Sequence, residues 1–169
     1  MIVGIHHVAV GVPDFDKGLA FYRDTLGFEV VQSSDFKRDQ PLADRAIGLP
    51  TVAARMAMLK APNGFIELWQ YTHPQPLDRG GRPCDYGYAH FCLQVDGIQA
   101  EYDRLVAAGM EFVGPPVDFG VASAIYGKDP FGNVIELYEI RAAGLAQLER
   151  GGPGSPVGRR THDASYSSD

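Results

Sequence analysis

A chain of 169 residues is long enough for one domain with a proper core or for two small fused modules. Its hydrophobic content of 45% and charged content of 21% are ordinary globular values, so the bulk of it should fold. A formal net charge of -6, with no Lys/Arg run interleaved with aromatics, gives no field for phosphate backbones and excludes a nucleic-acid partner.

In chain order, Ile2 to Val12 alternates and is rich in β-branched residues, which predicts a strand ending at Pro13. A helix follows, with Asp14 as its N-cap, Phe15, Leu19, Tyr22 and Leu26 on one stripe, and Gly27 as its stop. Phe28 to Gln32 reads as a second strand, and the polar, aperiodic stretch from Ser33 to Pro50 as a substrate loop or lid. Ala53 to Lys60 and Gly64 to Tyr71 form a hairpin around Pro62-Asn63-Gly64, completing a first module over residues 1–72. Residues 73–83, with Pro74, Pro76, Gly80, Gly81 and Pro83, form an irregular linker.

The second module, 84–141, repeats the plan. Tyr88 to Val95 is a strand, Asp96 caps a helix with Ile98, Tyr102 and Leu105 on one face, Gly109 stops it, and Met110 to Val113 returns to extended chain. Two more strands flank Asp129-Pro130-Phe131-Gly132-Asn133. A short terminal helix is expected over 142–150, and the Gly-, Pro- and Ser-rich tail 151–169 reads as disordered. No stretch approaches the length of a membrane span and no basic leader precedes the first strand. The two cysteines, Cys84 and Cys92, fit no zinc or redox spacing and read as reduced thiols. A soluble cytoplasmic protein without a membrane partner is expected.

The two modules carry matching residues. His7 and Glu67 recur as His90 and Glu136, each within an apolar strand pattern. Because strand side chains alternate, His7 lies opposite Val8 and Val10, His90 opposite Phe91 and Leu93, Glu67 opposite Ile66 and Leu68, and Glu136 opposite Ile135 and Leu137. Each sheet then has an apolar face for its helix and a face with one histidine and one glutamate. Two such sheets side by side would enclose a polar cleft. A lone histidine in an apolar strand is ordinarily a satisfied core or surface residue, but four residues in equivalent positions make coincidence the poorer account. Two carboxylates among apolar neighbours also call for a counter-charge, and a divalent cation supplies it. Two imidazoles and two carboxylates suit Fe, Ni, Co, Mn or Zn and leave room for a bidentate substrate, whereas the absence of cysteine argues against a closed structural zinc site. His6, next to His7, is the competing ligand if the strand phase is off by one.

At these residues the chain resembles the vicinal oxygen chelate superfamily, over roughly residues 1–140. The resemblance rests on Ile5-His6-His7-Val8-Ala9-Val10, on Phe21 to Phe28, and on Asp129-Pro130-Phe131-Gly132-Asn133 followed by Glu136. It implies an α+β fold of two βαβββ modules making an open, barrel-like cleft around one divalent metal held by His7, Glu67, His90 and Glu136. Four ligands imply a glyoxalase I-like lyase or methylmalonyl-CoA epimerase-like isomerase, acting through an enediolate on a small substrate with vicinal oxygens. Glu136 is the proton-moving carboxylate, and Glu67 is the second catalytic candidate. Extradiol ring-cleaving dioxygenases of the superfamily use three ligands and leave the position of Glu67 free, so that reading comes second; a non-catalytic binding or resistance protein comes third. A homodimer is expected.

Strand phase puts Phe65, Trp69, Tyr88, Cys92, Gln94 and Tyr138 on the walls beside the metal as substrate contacts, with ordinary core as the competing role for each aromatic. No arginine matches the carboxylate-binding positions of glutathione-dependent glyoxalases. Asp39 and Asp44 both lie where an epimerase would carry its second acid–base carboxylate.

Overall fold

A computed structural model describes residues 1–78 and 82–148. The expected tail at 151–169 lies outside the described residues. Strand β1 (His7–Gly11) leads to helix α1 (Phe15–Ala20), which continues as a π-helical turn over Phe21–Thr25. Asp14 caps α1 as expected, its carboxylate accepting from the Lys17 amide at 3.0 Å. The helical run ends at Gly27, whose φ of 78° a residue with a β-carbon adopts only at a cost. Strands β2 (Glu29–Phe36), β3 (Ala53–Ala61) and β4 (Gly64–His73) complete the first sheet in the order β1-β4-β3-β2, with β1 parallel to β4 and the other pairs antiparallel. The hairpin turn falls at Pro62-Asn63, with Ala61 opposite Gly64.

The second sheet repeats this plan with β5 (Phe91–Gln94), helix α3 (Ile98–Ala107), β6 (Glu111–Phe112), β7 (Val117–Asp118), β8 (Ala122–Lys128) and β9 (Val134–Ile140). Its order is β5-β9-β8-β6, with β7 on β8 and β5 parallel to β9. The fold is therefore α+β, two βαβββ modules with no closed barrel.

Five sequence expectations need correction. Strand β5 spans only Phe91–Gln94 rather than Tyr88 to Val95, so His90 just precedes it. The stretch 33–50 is not an open loop: β2 runs on to Phe36, and a second helix, α2 (Pro41–Ile47), follows. Strand β1 starts at His7 rather than Ile2, because β4 begins at Gly64 and the chain before His6 has no strand to pair with. The cap of α3 is Gly97, in left-handed conformation with its amide donating to Glu139 at 2.6 Å, rather than Asp96. Residues 142–148 form turns and irregular chain instead of a helix.

One apolar core serves both modules. Val10, Phe15, Tyr22, Ala57, Leu59, Ile66 and Leu68 from the first half are continuous with Ile98, Leu105, Met110, Ile125, Ile135 and Leu137 from the second. Polar ties cross the same boundary. The Tyr22 hydroxyl donates to the buried Asp129 carboxylate at 3.0 Å, Asn133 Nδ2 to the Gly11 carbonyl at 3.3 Å, and Arg104 Nη1 to the Thr25 carbonyl at 2.7 Å. Asp129 also accepts from the Phe131 and Asn133 amides at 2.9 Å each and from Asn133 Nδ2 at 2.7 Å, so its buried charge is fully satisfied. The modules thus join through the helix sides of their sheets. The opposite faces, which carry the histidines and glutamates, turn away from this shared core.

Candidate metal and catalytic site

Strand register fixes the same diagonal in both modules. Ala9 lies opposite Glu67 and Cys92 opposite Glu136, so His7 and His90 each stand two residues upstream on the glutamate's face. His7 Nε2 lies 3.3 Å from Glu67 Oε2, and His90 Nε2 lies 3.2 Å from Glu136 Oε2. The glutamate side chains are 16% and 17% exposed and the histidines 37% and 29%, so each pair is backed by protein and open on its outer side. The pairs remain separate. Among the described residues no group of three or more His, Cys, Asp and Glu shares a metal-sized site, and one chain presents two half-sets of donors rather than the enclosed quartet.

His6 takes no part in facing Glu67. Its Nδ1 lies 2.9 Å from His7 Nδ1, and its ring stacks on Phe65 with centroids 4.7 Å apart. His7 therefore directs Nε2 to the carboxylate, the tidy geometry for a ligand whose other ring nitrogen is already engaged. The donor chemistry of each half-set, one neutral-capable imidazole and one carboxylate, suits a borderline-to-hard divalent cation.

The neighbours of the two pairs differ. Cys92 and Tyr126 flank Glu136 across the sheet, and the Tyr126 ring meets His90 edge-on with centroids 5.0 Å apart. Loss of water around the sulfur, together with the adjoining Glu136 carboxylate, pushes the Cys92 thiol up to about 12. Partial burial, and after it Glu136 and Cys92, raise the Tyr126 phenol. Around Glu67 the flanking residues are Ala9 and Met58, and burial, then Glu67, raise the Tyr71 phenol.

Of the expected wall residues, Phe65 stacks on His6, and Trp69 is buried between Phe36 and Tyr71. Cys92 stands beside Glu136, and Tyr138 is half-buried on the same face. Gln94 is engaged, its side-chain oxygen accepting from the Leu148 amide at 2.9 Å. Tyr88 lines no wall: it is 107% exposed, ahead of β5. Asp44 holds backbone, accepting from the Thr51 and Val52 amides at 2.9 and 2.7 Å, and Asp39 lies in the exposed turn before α2. Phe36, Met58, Tyr71 and Tyr126 were absent from the expected walls. Met58 and Tyr71 were within reach of the sequence, by counting back from the Pro62-Asn63 turn and by extending the phase of Glu67.

Known proteins similar to this chain fall in one superfamily and include proteins named as epimerases. A 2-epi-5-epi-valiolone epimerase of an Actinomyces species is 29% identical over 148 residues, 83% of this chain and 81% of its own. An ethylmalonyl-CoA/methylmalonyl-CoA epimerase of Cereibacter sphaeroides is 31% identical over 121 residues, 68% of this chain and 77% of its own. A solved glyoxalase-family protein of Bacillus cereus shares the fold, with a TM-score of 0.74 at 23% identity over 84% of this chain and 97% of that one. Residues 4–137 match the model of the Glyoxalase/Bleomycin resistance protein/Dioxygenase superfamily, and the chain belongs to that superfamily.

Proposed function

We propose that the protein is a metal-dependent isomerase of the epimerase kind, with lyase chemistry of the glyoxalase type as the close variant, acting on a small substrate with vicinal oxygens. The observation that carries this reading is the repeated His–Glu diagonal, at 3.3 Å in one module and 3.2 Å in the other. Three epimerases among the relatives support it. His7, Glu67, His90 and Glu136 are the residues proposed to hold one divalent cation. When bound, the cation would neutralise charge developing on adjacent substrate oxygens and so ease removal of the neighbouring proton. Glu136 is the proposed base. Cys92, whose thiol hydrogen-bonds to the carboxylate, and Tyr126 across the sheet from it can orient Glu136 and its proton. Glu67, between Ala9 and Met58, holds the other side of the site. Free Cys84 and Cys92, and the absence of any described helix long and apolar enough to cross a membrane, are compatible with action in the cytoplasm.

Because both half-sets lie on the outer faces of one shared core, we place the complete quartet between two copies. Each site then takes His7 and Glu67 from one protomer and His90 and Glu136 from its partner. Exposed Ile2, Val3 and Ile5 beside β1, and Tyr86 and Tyr88 beside β5, supply apolar surface for that contact. The test is complementation. A His7→Ala/Glu67→Ala chain and a His90→Ala/Glu136→Ala chain should each be devoid of Mn(II), whereas refolding them together should regenerate one intact site per mixed dimer. Mn(II) content that stays at zero in the mixture, while the wild type binds one ion per chain, would sink the shared site.

A further inference from the structure

The two site-bearing faces are unequally furnished. On the first, Phe36 and Trp69 stack with centroids 5.2 Å apart at 30°, and Trp69 and Tyr71 at 5.1 Å and 15°. The rings form one aromatic wall. Val52, Ala54 and Met56 are buried with Trp69, and Met58 and Ile47 of α2 pack against the same group, so the wall is held firmly in place. It starts beside Glu67, two and four residues along β4, and runs past Phe36 into an open apolar depression lined by Gln40, Pro41, Leu42 and Ala43. Phe36 and Tyr71 stay half-buried, and Leu42 is 77% exposed. The second face has Tyr138, Ile140 and Ala124 at the positions of Trp69, Tyr71 and Met56, with no helix corresponding to α2. This cluster is additional to the shared core in which both sheets bury their other faces.

We infer that the wall from Tyr71 through Trp69 to Phe36, edged by α2, is the subsite for the non-reacting body of the substrate, and that this body is an uncharged ring. The inference rests on the proposed reaction site, because it takes His7 and Glu67 as the reacting end. Aromatic faces attract flat or C–H-rich rings, and the wall has only the Tyr71 hydroxyl as a polar handle. A large anionic carrier would need a built cationic clamp. Arg23, Arg55, Arg82, Arg104 and Arg141 are each committed to a carboxylate of this chain, and Arg38 and Arg45, before and on α2, are exposed surface side chains rather than a built clamp. Orientation would come from the vicinal oxygens at one end and ring stacking at the other.

Trp69 is the single tryptophan of the chain, so its fluorescence reads the wall directly. The full-length wild-type protein, loaded with Mn(II), is titrated with 2-hydroxycyclohexanone and with its six-carbon open-chain counterpart 4-hydroxyhexan-3-one, which present the same pair of oxygens. The ring compound should bind about tenfold tighter, the upper end of what a ring contact contributes. Tyr71→Leu and Phe36→Leu, which keep apolar bulk but remove the ring, should cut that preference to about twofold while leaving Mn(II) content unchanged. Equal affinity for the two ketones in the wild type, a preference that survives in both leucine variants, or tighter binding of methylmalonyl-CoA through Arg38 and Arg45 would each overturn the inference. Failure of the wild type to take up Mn(II) would instead overturn the proposed reaction site, and quenching of Trp69 by the ring ketone in that metal-free protein would still uphold the wall.

Discussion

The two modules repeat one backbone design and diverge in what surrounds it. The His–Glu diagonal is alike in both because parallel pairing of the first and last strands fixes it, with Ala9 opposite Glu67 and Cys92 opposite Glu136. Its neighbours are free to change. Ala9, Met58 and Tyr71 of the first face correspond to Cys92, Tyr126 and Ile140 of the second, so one carboxylate lies among mainly apolar groups and the other between two protic ones. A duplicated scaffold can thus keep its donors and diverge around them, with proton handling proposed for the second face and retention of the substrate body for the first.

That division makes Glu136→Gln the most damaging test of it. With metal still bound, the variant should lose substrate C–H exchange in D₂O by about 10² to 10⁴-fold, the range for a positioned acid–base group. Mass spectrometry of recovered substrate reads the loss, and Glu67→Gln should act mainly through metal content. If Glu67→Gln abolishes exchange at full metal occupancy while Glu136→Gln does not, the assignment of the two faces is reversed. Oxygen uptake with a catechol, dependent on Fe(II), would replace both with ring cleavage.

A smaller effect is expected where the modules meet. Tyr22→Phe removes one of four hydrogen bonds to the buried Asp129 carboxylate and should cost about 1–3 kcal/mol in urea unfolding, with the site faces untouched. Asp129→Ala should cost more, because it strips partners from Tyr22 and Asn133 together. A Tyr22→Phe chain as stable as wild type would show that the polar tie adds nothing to the shared core.

The mildest prediction concerns pH. A thiol raised to about 12 in the folded chain stays protonated through the mildly alkaline range, and the thiolate is the nucleophile. Both cysteines are exposed, yet between pH 8 and 10 iodoacetamide should modify Cys92 more slowly than Cys84, with Glu136→Gln speeding the reaction at Cys92. The linkage runs the same way. The raised value favours the folded state below the unfolded thiol's range near 9, and that contribution is lost as pH climbs toward about 12. Equal alkylation of both cysteines at pH 9 would place Cys92 outside the influence of Glu136.

Much of this could be read from residues alone, because it rests on local periodicity. Alternation placed His7 with Glu67 and His90 with Glu136 on one face of each sheet, and Asp14 and the Pro62-Asn63 turn marked real boundaries. Helix α2 escaped notice because seven residues opening on Pro41, with few apolar positions, carry no usable helical period. The course of β1 before His7 depends on where β4 begins, which is a partner's property. The largest gap lies between modules. Alternation gives each sheet an apolar face but is silent on whether two such faces cover their own helices separately or merge, and merging them turned the expected cleft into two outward faces.

That merger has a thermodynamic reading. The sequence contains a duplication, but the folding unit is the whole, since Tyr22 of one half and Leu137 of the other are sealed in the same interior. Half a chain expressed alone would hand that interior to water. Calorimetry should accordingly record one cooperative transition for both repeats together, with equal van 't Hoff and calorimetric enthalpies, even though the eye divides the molecule in two.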